Sequence, residues 1–396
     1  MPVFNRRNFL KASGLTILPA LIPAGSLLAN GKEEDQLPAD DNTIYFYFDG
    51  KGYEPTQYLN ELQQIDSKKP IERDFYGAVG VVAALEKKFE EITGKEKSMF
   101  MPSGTMANQL AIAVLSGENT KIFVQDTSHV YRDEADAAQS VFNKRLMPLA
   151  KDQTYFTADM LKQAVDSLKE QEVFSSGVGA ISIENPVRRS EGRMIPIEEI
   201  RKISEYCKSN NIKMHLDGAR IYMASAWSGV SVKEYASYFD TIYISLYKYL
   251  GAAGGAVLSG EKNVMDKMQH LVKIHGGNMY SNWPNAAMAL YRLEGLEDRL
   301  KEAIKRSEVI FPALNKLPGI KVTALEGGTN IYDLELDKNI DPKKLNEVLF
   351  KQYGIRIPRP NDKNKGTLTV NDTLLSREPS YVIDAFKIAL KAAGGS

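Results

Sequence analysis

The 396-residue sequence has a single cysteine, Cys207, which excludes an intrachain disulfide and with it the small disulfide-stapled scaffolds. Cys207 falls on the apolar stripe of a predicted helix, Ile197 to Ser209, where a free thiol is a core residue rather than a reactive one. Histidine is nearly as scarce. His129, His215, His270 and His275 are scattered without metal-ligand spacing, so no metal is expected. Net charge is missing as well: lysine plus arginine and aspartate plus glutamate number 50 each, which argues against nucleic acid or an acidic membrane surface as partner. There is no internal repeat, no low-complexity tract, and neither a P-loop nor a dinucleotide glycine fingerprint. Long hydrophobic runs are also absent. The nearest, Leu15 to Leu28, is interrupted by proline and glycine and is too short to span about 30 Å comfortably.

That run nevertheless carries information. Residues Met1 to Ala29 hold Arg6, Arg7 and Lys11, no acidic residue, and then the broken apolar stretch, which together read as an export signal. The order Asn5-Arg6-Arg7-Asn8-Phe9-Leu10-Lys11 resembles the twin-arginine signal, whose route carries folded proteins across a bacterial membrane. The expectation is an exported, periplasmic protein with no stable membrane insertion once residues 1–29 are removed. Loss of those three basic residues leaves 47 against 50 acidic.

Beyond a polar tail, apolar runs of strand length alternate with helical periodicity. Strands are predicted at Ile44 to Phe48, Ser98 to Met101, Lys121 to Gln125, Arg145 to Leu149, Val178 to Ile183, Lys213 to Leu216 and Thr241 to Leu246. Helices are predicted over Val79 to Thr93, closed by Gly94, and over Tyr131 to Gln139, Thr157 to Lys169 and Ile197 to Ser209. Repetition of strand then helix predicts an α/β fold, a mostly parallel sheet with helices on both faces and ligand sites at the strands' carboxyl ends. Beyond Gly260 a helix is expected to Lys273, then a long amphipathic helix, then a smaller α+β domain. The division read from the sequence is residues 1–29 as signal, 30–73 as an N-terminal segment, 74–300 as the large domain and 301–396 as the small one.

Chemistry gathers at the predicted strand ends. Thr241 to Leu246 delivers Lys248 onto a loop rich in glycine (Gly251, Gly254, Gly255), and a lysine leaving a buried strand is a candidate imine-former when burial lowers its pKa. The strand ending at Met101 runs into Pro102-Ser103-Gly104-Thr105 and a helix, which makes a phosphate cradle from first-turn N–H groups; an ordinary N-cap at Ser103 explains the same residues equally well. His129, Asn185, Asp217 and Arg220 also lie at or just beyond strand ends. Taken singly, Asp217 and Arg220 read as a helix cap and a surface ion pair. A lysine, a carboxylate and an anion cradle together fit pyridoxal 5'-phosphate (PLP): imine, partner for the pyridinium nitrogen, and phosphate site.

Asp74-Phe75-Tyr76-Gly77, Pro102-Ser103-Gly104-Thr105, His129 in Thr-Ser-His-Val-Tyr-Arg-Asp-Glu-Ala, Ile183-Glu184-Asn185, His215-Leu216-Asp217-Gly218-Ala219-Arg220 and Ile244-Ser245-Leu246-Tyr247-Lys248 follow the order of the threonine aldolases. From about Asp49 onward the chain resembles that branch of the β-eliminating lyases, PLP-dependent enzymes of fold type I. The resemblance implies that Lys248 carries the cofactor, Asp217 pairs with the ring nitrogen, His129 stacks on the ring and Ser103, Gly104 and Thr105 hold phosphate. It implies that Arg220 faces the cofactor or the substrate carboxylate, that Asn185 is cofactor-binding with the others, and that the catalytic set is Lys248, His129, Asp217 and Arg220. A small amino-acid substrate and a homodimer or homotetramer follow likewise.

The departures concern substrate. Aldolases read Glu-Asn-Thr-His where this chain has Glu184-Asn185-Pro186-Val187; Tyr280 and Thr367 stand where arginines are usual, Tyr247 where serine is, and Asp136-Ala137 where glycines are. Arg188, Arg189, Arg356 or Arg359 are candidate replacements as anion anchors. The expected function is retro-aldol cleavage of a β-hydroxy-α-amino acid to glycine and an aldehyde, poor on threonine. The alternatives are β-elimination or another Cα reaction on a different amino acid, and a non-catalytic PLP-fold binding protein.

Overall fold

The computed structural model describes residues 42–395; residues 1–29, where an export signal is expected, and the polar tail to residue 41 lie outside them. Twelve strands are labelled in chain order. After β1 (Ile44–Tyr45) come β2 (Lys97–Met101), β3 (Lys121–Gln125), β4 (Arg145–Leu149), β5 (Val178–Glu184), β6 (Lys213–Asp217), β7 (Thr241–Ser245) and β8 (Ala256–Gly260). The last seven form one sheet in the order β2-β8-β7-β6-β5-β3-β4. Pairing is parallel from β4 through β7, whereas β8 runs antiparallel to both β7 and β2. Strands β3, β7 and β8 are buried along their whole length, as expected where helices cover both faces. The sequence reading did not resolve β8, because Ala256–Gly260 continues the glycine-rich stretch without a break in composition.

The predicted helical faces are the ones that pack. Gly80–Thr93 buries Val82, Leu85 and Phe89 completely, each such side chain stabilising by about 1.5–3 kcal/mol. Gly94 ends that helix in the left-handed region at φ 67°, its N–H returning to Glu90 O at 2.9 Å. Gly104–Ser116 lays Ala107, Leu110 and Ala111 on the sheet. One expected helix is broken: Tyr131 to Gln139 divides into His129–Arg132 and Ala137–Phe142, since Ala135 and Asp136 sit at φ 50° and 54° and interrupt the helical path. The helix expected up to Lys273 also divides, into Lys262–Met265 and Met268–Ile274.

The C-terminal part carries β9 (Ile320–Ala324), β10 (Ile331–Leu336), β11 (Ile355–Arg356) and β12 (Lys365–Thr369), with an antiparallel sheet ordered β12-β10-β9. Helices Pro342–Tyr353 and Pro379–Ala392 complete its core. The N-terminal segment joins this core: β1 pairs with β11, and Phe46 is fully buried edge-on to Phe386 at 6.1 Å between centroids. The long helix Leu296–Leu314 serves both cores, with Leu296 and Leu300 in the larger and Ala303, Ile310 and Phe311 in the smaller. Among the described residues no helix is long and apolar enough to cross a membrane.

Candidate functional site

Strands that run the same way end at the same edge, so the residues just past β3, β5, β6 and β7 meet there. The two reversals at β8 bring β2 back into the same direction, which adds Ser103, Gly104 and Thr105 to that edge. Together with His129, Glu184, Asp217, Arg220 and Lys248 they wall a cavity of about 250 Å³. Glu134, Tyr243, Tyr247 and residues 253–255 complete it. A wider hollow at Glu96, Glu261, Lys262, Asn263 and Asp266 is an open surface depression far more exposed to solvent.

Burial pushes the Lys248 amine down to about 8, aided by the charge of Arg220 and opposed by Asp49, Asp217 and Glu184. Arg220 is clamped by Asp49, Nε to Oδ1 at 2.7 Å and Nη2 to Oδ2 at 3.0 Å. Burial works to raise the Asp49 carboxyl, but Arg220, with Lys248 and Arg188 further off, holds it below the usual range. Glu184 is pushed up to about 7 by burial and then by the Asp217 charge; the backbone N–H groups of Arg188 (2.9 Å) and His129 (2.7 Å) oppose this. For His129 burial acts to lower the pKa, and the hydrogen bond from Nδ1 to Glu134 Oε1 at 3.2 Å, with the charges of Asp217 and Glu184, raises it overall.

Ser103 is the N-cap, its Oγ accepting from Met106 N at 3.2 Å. Gly104 admits no side chain: a Cβ there would lie 2.2 Å from Tyr243 Oη. Asp217 takes the N–H of Ala219 on Oδ1 at 3.1 Å and Asn108 Nδ2 on Oδ2 at 3.0 Å. Asn185 lies at the same strand end but behind the wall, its Oδ1 accepting from Ile195 N at 2.9 Å. His129, Glu134 and Asp217 bring donor atoms within 4.8 Å of one another; the hydrogen bonds among them and Asn108 account for that grouping without a metal.

The departures are visible in the structure. Val187 is fully buried, so the position assigned to a histidine offers the cavity no polar group. Arg189 is bidentate on Asp133, and Arg356 stacks over Phe350 at 3.8 Å beside β1, while Arg188 and Arg359 are exposed. Thr367 faces Asp333 across the C-terminal sheet, and Tyr280 packs edge-on against Phe75 and Tyr76. Sequence reasoning missed Asn108, Glu134, Tyr243 and Asp49. The four-residue step from Gly104 signals Asn108; nothing local signals Asp49, 171 residues from its partner.

The fit to PLP rests on the donor set: an amine that burial pushes down to about 8, a buried carboxylate on another strand, and a helix start kept open by glycine. Comparison with known proteins agrees. The family model described as beta-eliminating lyase matches residues 56–336. The low-specificity L-threonine aldolase of Candida albicans is 34% identical over 276 residues, 69% of this chain and 72% of that one. The probable low-specificity L-threonine aldolase 2 of Arabidopsis thaliana is 32% identical over 291 residues, 73% and 81% of the two chains. The crystal structure of a putative L-allo-threonine aldolase from Listeria monocytogenes superposes with a TM-score of 0.72 at 25% identity, over 88% of this chain and 97% of that one.

One expectation is corrected. The bacterial periplasmic address read from residues 1–29 is overturned by the Candida albicans and Arabidopsis thaliana relatives, which are eukaryotic threonine aldolases. Three basic residues before a broken apolar run form a pattern of low information, and the segment lies outside the described residues. The chain belongs to the β-eliminating lyase family, in its threonine aldolase branch, a PLP-dependent group of fold type I.

Proposed function

We propose that this lyase holds PLP and cleaves the Cα–Cβ bond of a β-hydroxy-α-amino acid, releasing glycine and an aldehyde, with poor efficiency on threonine itself. The observation that carries this is the Lys248 amine, lowered to about 8, on the wall of one cavity with Asp217 and the Gly104 helix start. Lys248 would hold the cofactor covalently, Asp217 its ring nitrogen, His129 its ring face, and Ser103, Gly104 and Thr105 its phosphate. When bound, PLP supplies an electron sink for the pair left on Cα.

The chain's own residues do the rest. Arg220, oriented by Asp49 through two of its five N–H groups, keeps the others for the substrate carboxylate. Glu184, pushed up to about 7, is the wall group that can accept a hydroxyl proton near neutrality, and His129 holds it through its backbone N–H. Asn185 supports the end of β5. Homodimer or homotetramer assembly, with sites near the subunit boundary, agrees with the exposed cluster of Phe75, Tyr76 and Tyr280. The division of the chain near residue 300 is likewise part of this reading.

Val187 and the engaged Arg189 favour a second reading, β-elimination or another Cα reaction on a different amino acid. An amino-acid panel assayed for glycine, pyruvate, ammonia and α-deuterium uptake separates the two. Glycine from β-hydroxy substrates is expected; pyruvate and ammonia without glycine would establish the second reading. Threonine cleavage with kcat/KM at or above about 10⁴ M⁻¹s⁻¹ would show that the missing anchors matter little.

A further inference from the structure

Asn108 lies one helical turn beyond Gly104, wholly buried, and is not part of the cavity wall. Its Nδ2 donates to Glu134 Oε1 at 2.9 Å and to Asp217 Oδ2 at 3.0 Å, while Oδ1 lies 2.9 Å from His215 Nε2. The orientation of this amide is dictated by its partners. Ionised carboxylates only accept, so the NH₂ end faces them and Oδ1 faces the imidazole. His215 must therefore carry its proton on Nε2, which leaves Nδ1 to accept from Thr241 Oγ1 at 2.8 Å. Burial pushes His215 down to about 4, so the ring is neutral near pH 7, as that tautomer requires. Thr241, His215 and Asn108 thus form a chain with one direction, and every polar atom of Asn108 is used.

Asp217 is the end of that chain. Its Oδ1 is fixed by the Ala219 N–H and its Oδ2 by Asn108. Resting on the cofactor reading above, we infer that Asn108 is the positioning residue for Asp217, fixing the carboxylate that meets the ring nitrogen of PLP without itself touching the cofactor. His215 and Thr241 act behind it by locking the amide so that it cannot turn over. Glu134, on the second N–H, ties the same amide to His129.

A double-mutant cycle on cofactor affinity, read by fluorescence titration without substrate, tests this. Asn108→Ala is expected to weaken PLP binding by tenfold or more, on the order of one hydrogen bond to a charged group. In an Asp217→Ala background the same change should cost less than about twofold, because its route of action is gone. Equal losses in both backgrounds would overturn the inference, since a packing role does not depend on Asp217. If Asn108→Ala does not fold by circular dichroism, Asn108→Leu, close to the amide in shape and uncharged, removes its donors and its acceptor and is taken through the same cycle with the same two outcomes. Failure of the wild-type protein to bind PLP would instead sink the cofactor reading. The geometry is then tested in the cofactor-free protein by nitrogen NMR: His215 as the Nε2–H tautomer, lost in the variant, supports the inference, and an unchanged His215 signal in the variant overturns it.

Discussion

Arg220 closes a two-pronged hydrogen bond onto Asp49 across 171 residues of chain, with both side chains about one-fifth exposed. The pair ties the segment after β1, which belongs to the C-terminal core, to the loop after β6. It also sets the aim of Arg220 and influences the charge on Lys248. Domain attachment and site electrostatics therefore share one contact.

Asp49→Ala should destabilise the protein by about 2 kcal/mol in urea unfolding, below the 3–5 kcal/mol of a fully buried pair because water reaches both partners. The same variant should bind an amino-acid substrate more weakly, raising KM more than it lowers kcat, since Arg220 loses its orientation. An unchanged KM would remove Arg220 from the carboxylate site.

Covalent capture of PLP needs the neutral Lys248 amine, and burial has lowered that group to about 8. The rate of capture should therefore rise with pH through about 8 and level off above it, rather than climbing to the range of a free lysine near 10.4. Stopped-flow absorbance on the apoprotein reads this directly. Borohydride reduction followed by peptide mapping should place the label on Lys248, and a label on another lysine would contradict the assignment.

Gly104→Ala puts a methyl group 2.2 Å from Tyr243 Oη and 2.5 Å from Cζ. Overpacking of this kind costs about 1–3 kcal/mol and displaces the helix start that would hold the cofactor phosphate. Loss of thermal stability and of phosphate-dependent cofactor binding should appear together. Tyr243→Ala in the same chain should recover part of both; no recovery would mean that the ring is not what excludes the side chain.

Two buried groups oppose each other in acid. His215, held near 4 against about 6.5 unfolded, stays neutral in the fold, so its contribution is lost as pH falls from about 6.5 towards 4. Glu184, raised to about 7, takes up a proton in the fold before it does unfolded, so its contribution grows as pH falls from about 7 towards 4.3. The wild-type protein should show a shallow acid limb over this window. Glu184→Gln should steepen the loss, measured by chemical denaturation between pH 7 and 4.5, and an unaltered limb would show that Glu184 does not titrate in that window.

The sequence by itself determined most of the alternation of strands and helices, the family and the side chains at the strand ends, because strand and helix periods and strand-end chemistry are local patterns. Lys248, Asp217, His129, Arg220 and the Ser103–Thr105 turn could be named from it, and six of the sheet's seven strands share one direction as the alternation requires, with β8 alone reversed. Only the tertiary structure decided what those residues lean on. The clamp of Asp49, the amide of Asn108 between two carboxylates, and Tyr243 beneath Gly104 join residues far apart in the chain. It also decided that Val187 is core and that Arg189 is already engaged by Asp133. Such facts depend on which surfaces burial brings together, and spacing along a sequence carries no record of contacts that form only when the sheet and its helices close.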